Sequence, residues 1–125
     1  MSKSKADKKE QGLKWDQGKL RFDLLPPDVL RQVVEILTQG AKEYGDRNWE
    51  QGINWGRVFA AAQRHQWDWW EGLSEDKDSG CNPLAHAIVD LMFLLAYQTR
   101  GKTDFDDRVL LGRETGAGQG GSESR

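Results

Sequence analysis

The sequence predicts an all-α domain: three principal helices in a small bundle completed by oligomerisation, with an extended N-terminal arm. Three observations predict it. Apolar residues recur at three- and four-residue spacing in three separate segments, each bracketed by residues that start or stop helices. A chain of 125 residues allows one domain and hardly more. The last of the three segments is apolar on nearly every side, which calls for more packing partners than two neighbouring helices supply.

Residues 1–12 are dominated by Lys, Ser, Asp, Glu, Gln and Gly, too polar to offset the entropy of ordering, and are read as a disordered tail. The helical domain is placed at 13–101. Its first stretch, Leu13 to Leu25, holds a turn signal at Asp16, Gln17 and Gly18 between two short apolar-containing runs, which reads as an extended arm or a weak hairpin. Pro26-Pro27-Asp28 opens the first helix, whose apolar positions are Val29, Leu30, Val33, Val34, Ile36, Leu37, Ala41 and Tyr44, with Gly45 as terminator. Residues 45–54 are loop by composition. Asn54 caps a second helix through Glu71, ended by Gly72, with an inward stripe of Val58, Phe59, Ala62, Trp69 and Trp70.

After an acidic loop at 72–82, Asn82 caps a third helix with Pro83 at its first position, and Gly101 stops it. Leu84, Ile88, Val89, Leu91, Met92, Phe93, Leu94 and Leu95 cover almost all directions, so this helix is expected to be central and buried all round. Residues 102–125 are read as a mostly flexible tail, with a short extra turn over the core between Asp104 and Leu111. Six tryptophans in so short a chain mark Trp as the expected core-builder.

Composition excludes several functions. No apolar run approaches the ~20 residues needed to cross a bilayer, and the basic start MSKSKADKKEQ lacks the apolar stretch of a secretory signal. A cytoplasmic protein is expected. Eighteen Lys and Arg against 20 Asp and Glu give a net charge of -2, so no global basic field exists for stable nucleic-acid binding. One cysteine, Cys81, cannot form an internal disulfide or a thiolate metal cage, and an inert structural role is expected for it. The P-loop pattern, the His-Glu-x-x-His zinc motif and the His-Asp dipeptide of one metal phosphohydrolase class are absent.

The informative anomaly is a carboxylate inside the most apolar helix. His86 and Asp90, four residues apart, share one face, and an unpaired charge in apolar surroundings must find a cation, a metal or a proton. The second helix supplies Arg64, His65, Asp68 and Glu71, assigned to the side away from its tryptophan stripe. With the two helices antiparallel, His65, Asp68 and Glu71 would converge on His86 and Asp90. Such an oxygen-rich set suits magnesium or manganese, with a triphosphate completing the shell. The alternative is structural: Asp90 pairs with Arg64 or His65 in a buried network, and Asp68 and Glu71 are solvated.

The loop Lys42-Glu43-Tyr44-Gly45-Asp46-Arg47-Asn48-Trp49 mixes cations, an amide and aromatics able to hold phosphates and stack a base, although Tyr44 and Trp49 equally suit the edge of a core. Glu35 is read as a solvated charge, and Glu75-Asp76-Lys77-Asp78-Ser79-Gly80 as a surface loop without the ligand pattern of a calcium loop.

Several short motifs occur in order: Lys14-Trp15-Asp16 with Gly18-Lys19, Asp23-Leu24-Leu25-Pro26-Pro27, Gly40-Ala41-Lys42 with Tyr44-Gly45, Asn48-Trp49, Arg64-His65 and Leu84-Ala85-His86-Ala87. Together they resemble the phage-associated dATP/dGTP diphosphohydrolases, MazZ-like relatives of the MazG all-α nucleotide pyrophosphohydrolases, over about residues 13–100. The resemblance implies a homodimeric or homotetrameric bundle in the host cytoplasm. It also implies magnesium- or manganese-dependent conversion of a purine deoxynucleoside triphosphate to monophosphate and pyrophosphate.

In MazG-like proteins the metals sit on Glu-x-x-Glu followed, a loop later, by Glu-x-x-Asp. The nearest equivalents here are Asp68-x-x-Glu71 and then His86 with Asp90, so a histidine stands where a carboxylate is expected and the second pair is spaced by four. Either Glu75, Asp76 or Asp78 helps rebuild the metal site, or the fold is kept and the chemistry lost or changed. The roles implied are Asp68, Glu71 and Asp90 as metal ligands, His65 and His86 as ligand supports or proton carriers, and Lys42, Arg47, Asn48 and Arg64 on phosphates or base. The competing expectation is a catalytically silent nucleotide-binding or assembly protein that keeps the fold.

Overall fold

The structure, a computed structural model, describes residues 10–112. The outer parts of the two expected tails, 1–9 and 113–125, lie outside the described residues. Three helices form the body: α1, Pro27–Tyr44; α2, Trp55–Trp70; and α3, Pro83–Thr99. The described residues contain no strand, so the domain is all-α.

The helix boundaries follow the punctuation of the chain. Pro27 begins α1 and Gly45, at φ 98°, closes it in a conformation that favours glycine, its N–H donating to the Ala41 carbonyl. Asn82 Oδ1 accepts the Leu84 N–H at 2.8 Å, so the expected side-chain cap of α3 forms. Asn54 occupies the N-cap position of α2 without making that bond. A different segment does its work. The Trp55 N–H donates to the Phe105 carbonyl at 3.0 Å, and the Gly56 N–H donates to Asp107 Oδ1 at 2.7 Å. The unpaired amides at the start of α2 are thus satisfied from beyond α3, and Asp107 adds a negative charge at the positive end of the helix dipole. The chain after Gly101 therefore stays on the helical body through Asp107, and the turn expected within 104–111 lies at residues 104–105.

Helices α2 and α3 are antiparallel. Trp55, at the start of α2, meets Tyr97 near the end of α3 with ring centroids 6.4 Å apart, whereas His65, late in α2, meets His86 early in α3. Helix α3 packs against both α1 and α2 and is the central element, as its composition predicts. At the Tyr97 end the core is aromatic: Trp55, Val58 and Tyr97 are buried, with Trp49, Ile53, Phe93 and Leu94 packed against them. The Tyr97 hydroxyl donates to the Trp49 carbonyl at 2.6 Å, and the Trp49 ring stacks on Phe93 at 4.4 Å. Trp49 reaches this position through a short 3-10 turn, Asn48–Gln51, which the loop composition of 45–54 did not predict.

Three expectations are corrected. The inward stripe of α2 is Trp55, Val58, Ala62 and His65, at spacings of three, four and three, while Phe59 and Trp70 point outward at 54% and 71% exposure. Trp is only part of the core, since Trp15, Trp67, Trp69 and Trp70 are exposed within one chain. Within one chain helix α3 is not covered all round: Ala85, Ala87, Val89 and Tyr97 are buried, but Leu84, Ile88, Leu91 and Leu95 form an open stripe at four-three-four spacing. Three helices have too little surface to enclose it. The arm from residue 10 to Leu25 is exposed, with a turn in which the Lys19 N–H donates to the Asp16 carbonyl at 3.0 Å, and a 3-10 turn at Phe22–Leu24. No described helix is long and apolar enough to cross a membrane.

Candidate active site

Of the expected acid and imidazole groups, His65 and His86 meet at the end of the α2–α3 hairpin opposite the aromatic core, whereas among the described residues no hydrogen bond or ion pair brings Asp68 or Glu71 onto His86 or Asp90. His65 belongs to the same stripe as Trp55 and Val58, not to the side away from it, and so faces α3. Its ring stacks on that of His86, with centroids 4.6 Å apart and planes 17° from parallel. His86 Nε2 lies 2.6 Å from Ser79 Oγ in the connecting loop. His65 Nδ1 and Asp90 Oδ2 are buried with no hydrogen-bond partner among the described residues. Two orphaned polar atoms on facing helices are costly and uncommon in a folded domain.

Burial pushes the Asp90 carboxyl up to about 6, with the positive charge of Arg64 acting in the opposite direction. The pairing of the structural alternative does not form: among the described residues no salt bridge joins Asp90 to Arg64 or His65. Burial, followed by the neighbouring His86, holds His65 below the ordinary imidazole range, while Asp76 and Asp68 oppose that shift. Asp68 is half-buried one turn from His65, and Glu71 is exposed at the C-cap of α2.

Among the described residues no three His, Cys, Asp or Glu side chains are gathered to hold a metal ion, so Asp68, Glu71 and Asp90 do not form a closed cage within one chain. Magnesium seldom uses such a cage. It takes one or two carboxylates, water and substrate phosphates, and a buried carboxylate oxygen without a partner is the kind of donor it needs. The orphaned Asp90 oxygen fits that requirement.

The remaining expected residues divide. Arg64 acts electrostatically on both His65 and Asp90 and so belongs to the cluster. Lys42 sits in the last turn of α1, and Arg47 and Asn48 lie exposed on the following loop, with Arg47 in the left-handed conformation at φ 56°. Trp49 is taken into the core; one face of its ring is covered by Phe93, and the Arg100 guanidinium lies 5.5 Å from its centroid. Ser79 and Asp76, both placed by the sequence in the acidic loop, are part of the cluster. Their sequence signal was a turn-forming acidic run, which says nothing about what the turn touches.

The fold and these side chains define a small all-α domain whose central helical hairpin carries a half-buried acid–imidazole cluster. The chain belongs to the family of dATP/dGTP diphosphohydrolase N-terminal domains, which it matches over residues 9–108. A dATP/dGTP diphosphohydrolase of Salmonella phage PMBT28 is 33% identical over 97 residues, covering 78% of this chain and 33% of that protein. The chain thus spans about a third of the length of this curated relative. No solved structure matches it.

Proposed function

We propose that this chain binds a purine deoxynucleoside triphosphate, dATP or dGTP, and hydrolyses it to monophosphate and pyrophosphate with magnesium or manganese. The observation that carries the reading is the partnerless buried oxygen of Asp90, one helical turn from His86, whose ring stacks on that of His65, in a chain of this family. An acid kept out of water with no protein partner is a group reserved for something that arrives.

Asp90 would hold the ion with Asp68 and Glu71, and the ion would neutralise phosphate charge and polarise the attacking water. Arg64 offers a guanidinium for the phosphates, and Lys42, Arg47 and Asn48 provide further donors for phosphates or base. His65 and His86 are the groups able to hold or move a proton near neutral pH. The histidine in place of a carboxylate leaves fewer negative charges, which weakens ion binding in the absence of nucleotide and couples the two ligands.

The same reading includes a homodimer or homotetramer in which a second copy covers Leu84, Ile88, Leu91 and Leu95, apolar residues that a lone chain leaves open to water.

The test is incubation of pure protein with each deoxynucleoside triphosphate and manganese, with products separated by ion-exchange chromatography. Deoxynucleoside monophosphate and pyrophosphate in equal amounts are expected from dATP or dGTP. Folded protein that releases neither at high concentration refutes hydrolysis, and calorimetric binding without turnover identifies a nucleotide-binding protein.

A further inference from the structure

The loop between α2 and α3 has a polar order that the reaction above leaves unused. Asp76 Oδ2 accepts the N–H of Asp78 at 3.0 Å and of Ser79 at 3.1 Å. The Asp76 N–H donates to the Cys81 carbonyl at 2.7 Å, and the Asp76 carbonyl accepts the Gly80 N–H at 2.8 Å. These bonds close the loop on itself and fix the Ser79 hydroxyl. That hydroxyl accepts the Cys81 N–H at 3.1 Å, lies 3.4 Å from Asp76 Oδ2, and meets His86 Nε2 at 2.6 Å.

A hydroxyl has one hydrogen to give. With His86 neutral and its hydrogen on Nδ1, the Ser79 hydroxyl donates to Nε2. With a hydrogen on Nε2, the ring donates to Ser79 Oγ and the hydroxyl hydrogen turns to Asp76. Both arrangements are satisfied without moving a heavy atom, and the second places a carboxylate behind the donor, which favours the charged ring. Burial works against the charge of this carboxylate, and the Ser79 and Asp78 amides together with His86 and His65 more than offset that, holding it below its ordinary value.

His65, on the other face of the same ring, has no such relay, since its Nδ1 is buried without a partner. Two charged rings 4.6 Å apart repel, so the stacked pair accommodates one proton at a time. The other charges facing the pair are Arg64 and Asp68 on α2, Asp76 in the loop, which acts on both rings, and Asp90 one turn along α3 from His86.

We propose that Ser79, backed by Asp76, is the positioning residue that aims the His86 ring and assigns the shared proton of the stacked pair to His86 and not to His65. Its catalytic meaning rests on the hydrolase reading: His86 becomes the proton-bearing ring of the site and His65 the neutral one. The depressed basicity of His65 agrees with that division.

The test is a nitrogen-15 NMR titration of both imidazoles in the full chain, without metal or nucleotide. As pH falls, His86 takes up its proton before His65. Ser79→Ala should lower the His86 midpoint by about one pH unit, a tenfold loss of proton affinity, and mix its tautomers. Ser79→Thr, which keeps the hydroxyl, should restore both. Asp76→Asn, which still accepts the loop amides but carries no charge, should lower the midpoint too, and it decides the matter if Ser79→Ala does not fold. Earlier protonation of His65, or variants whose His86 midpoint and tautomer match the parent, overturns the proposal. No turnover is read, so failure of the hydrolase reading leaves this result standing and the converse is equally separable.

Discussion

Replacing Asp90 by asparagine isolates the cost of keeping an unpartnered carboxylate inside the hairpin. Burial raises its acid to about 6, against about 3.9 in an unfolded chain. A gap of about 2 units corresponds to roughly 2.7 kcal/mol, and because the residue is only partly buried, solvent screening reduces this to about 1–2 kcal/mol. The sign follows from proton binding: the folded state holds the proton more tightly than the unfolded chain. The contribution of Asp90 to stability is therefore greatest below about pH 4 and is lost as pH rises through about 6. Asparagine does not titrate. In EDTA-treated protein, the stability of Asp90→Asn relative to the parent should rise by about 1–2 kcal/mol between pH 4 and pH 8, read from urea midpoints. Adding manganese at pH 8 should then stabilise the parent and leave the variant unchanged, because only the parent gains a ligand. A relative stability that stays flat or falls with pH would refute the reasoning, since it would mean that Asp90 is held by Arg64 as a favourable structural pair.

Other perturbations test the frame around the site. Gly52 has φ 110°, and a methyl group there would lie 2.5 Å from the Phe105 ring, so Gly52→Ala should cost about 1–3 kcal/mol in thermal or chemical unfolding; an unchanged melting temperature would show that the 102–108 segment does not pack as described. Tyr97→Phe removes the bond to the Trp49 carbonyl and should cost about 1 kcal/mol, a fall of about 4–8 °C in melting temperature for a domain of this size. Leu91→Glu places a charge in the middle of the open α3 stripe, and light scattering should show the proposed dimer or tetramer giving way to monomer, whereas an unchanged mass would mean that copies do not meet on that face.

The helices were legible because the chain punctuates them chemically. Pro27, Asn82-Pro83, Gly45 and Gly101 act locally, through missing N–H groups, side-chain caps and left-handed turns, and local effects survive reading in one dimension. The face that α2 turns inward was not legible. Its sequence carries enough aromatic surface for two stripes, one running from Trp55 through Val58 to His65 and another through Phe59 and Trp70. Periodicity alone cannot rank two stripes of similar hydrophobicity, and packing against the single face of α3 uses only one. The consequence was a misplaced His65, although its pairing with His86 followed correctly from the antiparallel hairpin. Asp90 was found because an acid in a greasy helix violates the pattern around it. Ser79 and Asp76 violated nothing, since an acidic turn is ordinary, and only the closing of the loop over α3 gives them chemical meaning.

The two ends of the hairpin explain each other. His65 follows Trp55 by ten positions of α2, about 15 Å of helix, and Tyr97 follows His86 by eleven positions of α3, about 16 Å. At one end, large rings of Trp49, Trp55, Phe93 and Tyr97 fix the register, and the Phe105–Asp107 segment locks the first turn of α2 onto them. At the other, the buried residues that flank the imidazoles along the two helices are small, Ala62, Ala85 and Ala87. A slip of one residue would move α2 by about 1.5 Å and turn it by about 100°, taking His65 away from His86 and facing another side chain toward Asp90. The polar cluster supplies no attraction strong enough to resist that slip, since its oxygen and nitrogen atoms are partly unpaired. The register that assembles the site is therefore set by aromatic packing at the far end of the same two helices, and Asp90 Oδ2 and His65 Nδ1 are left without a partner among the described residues.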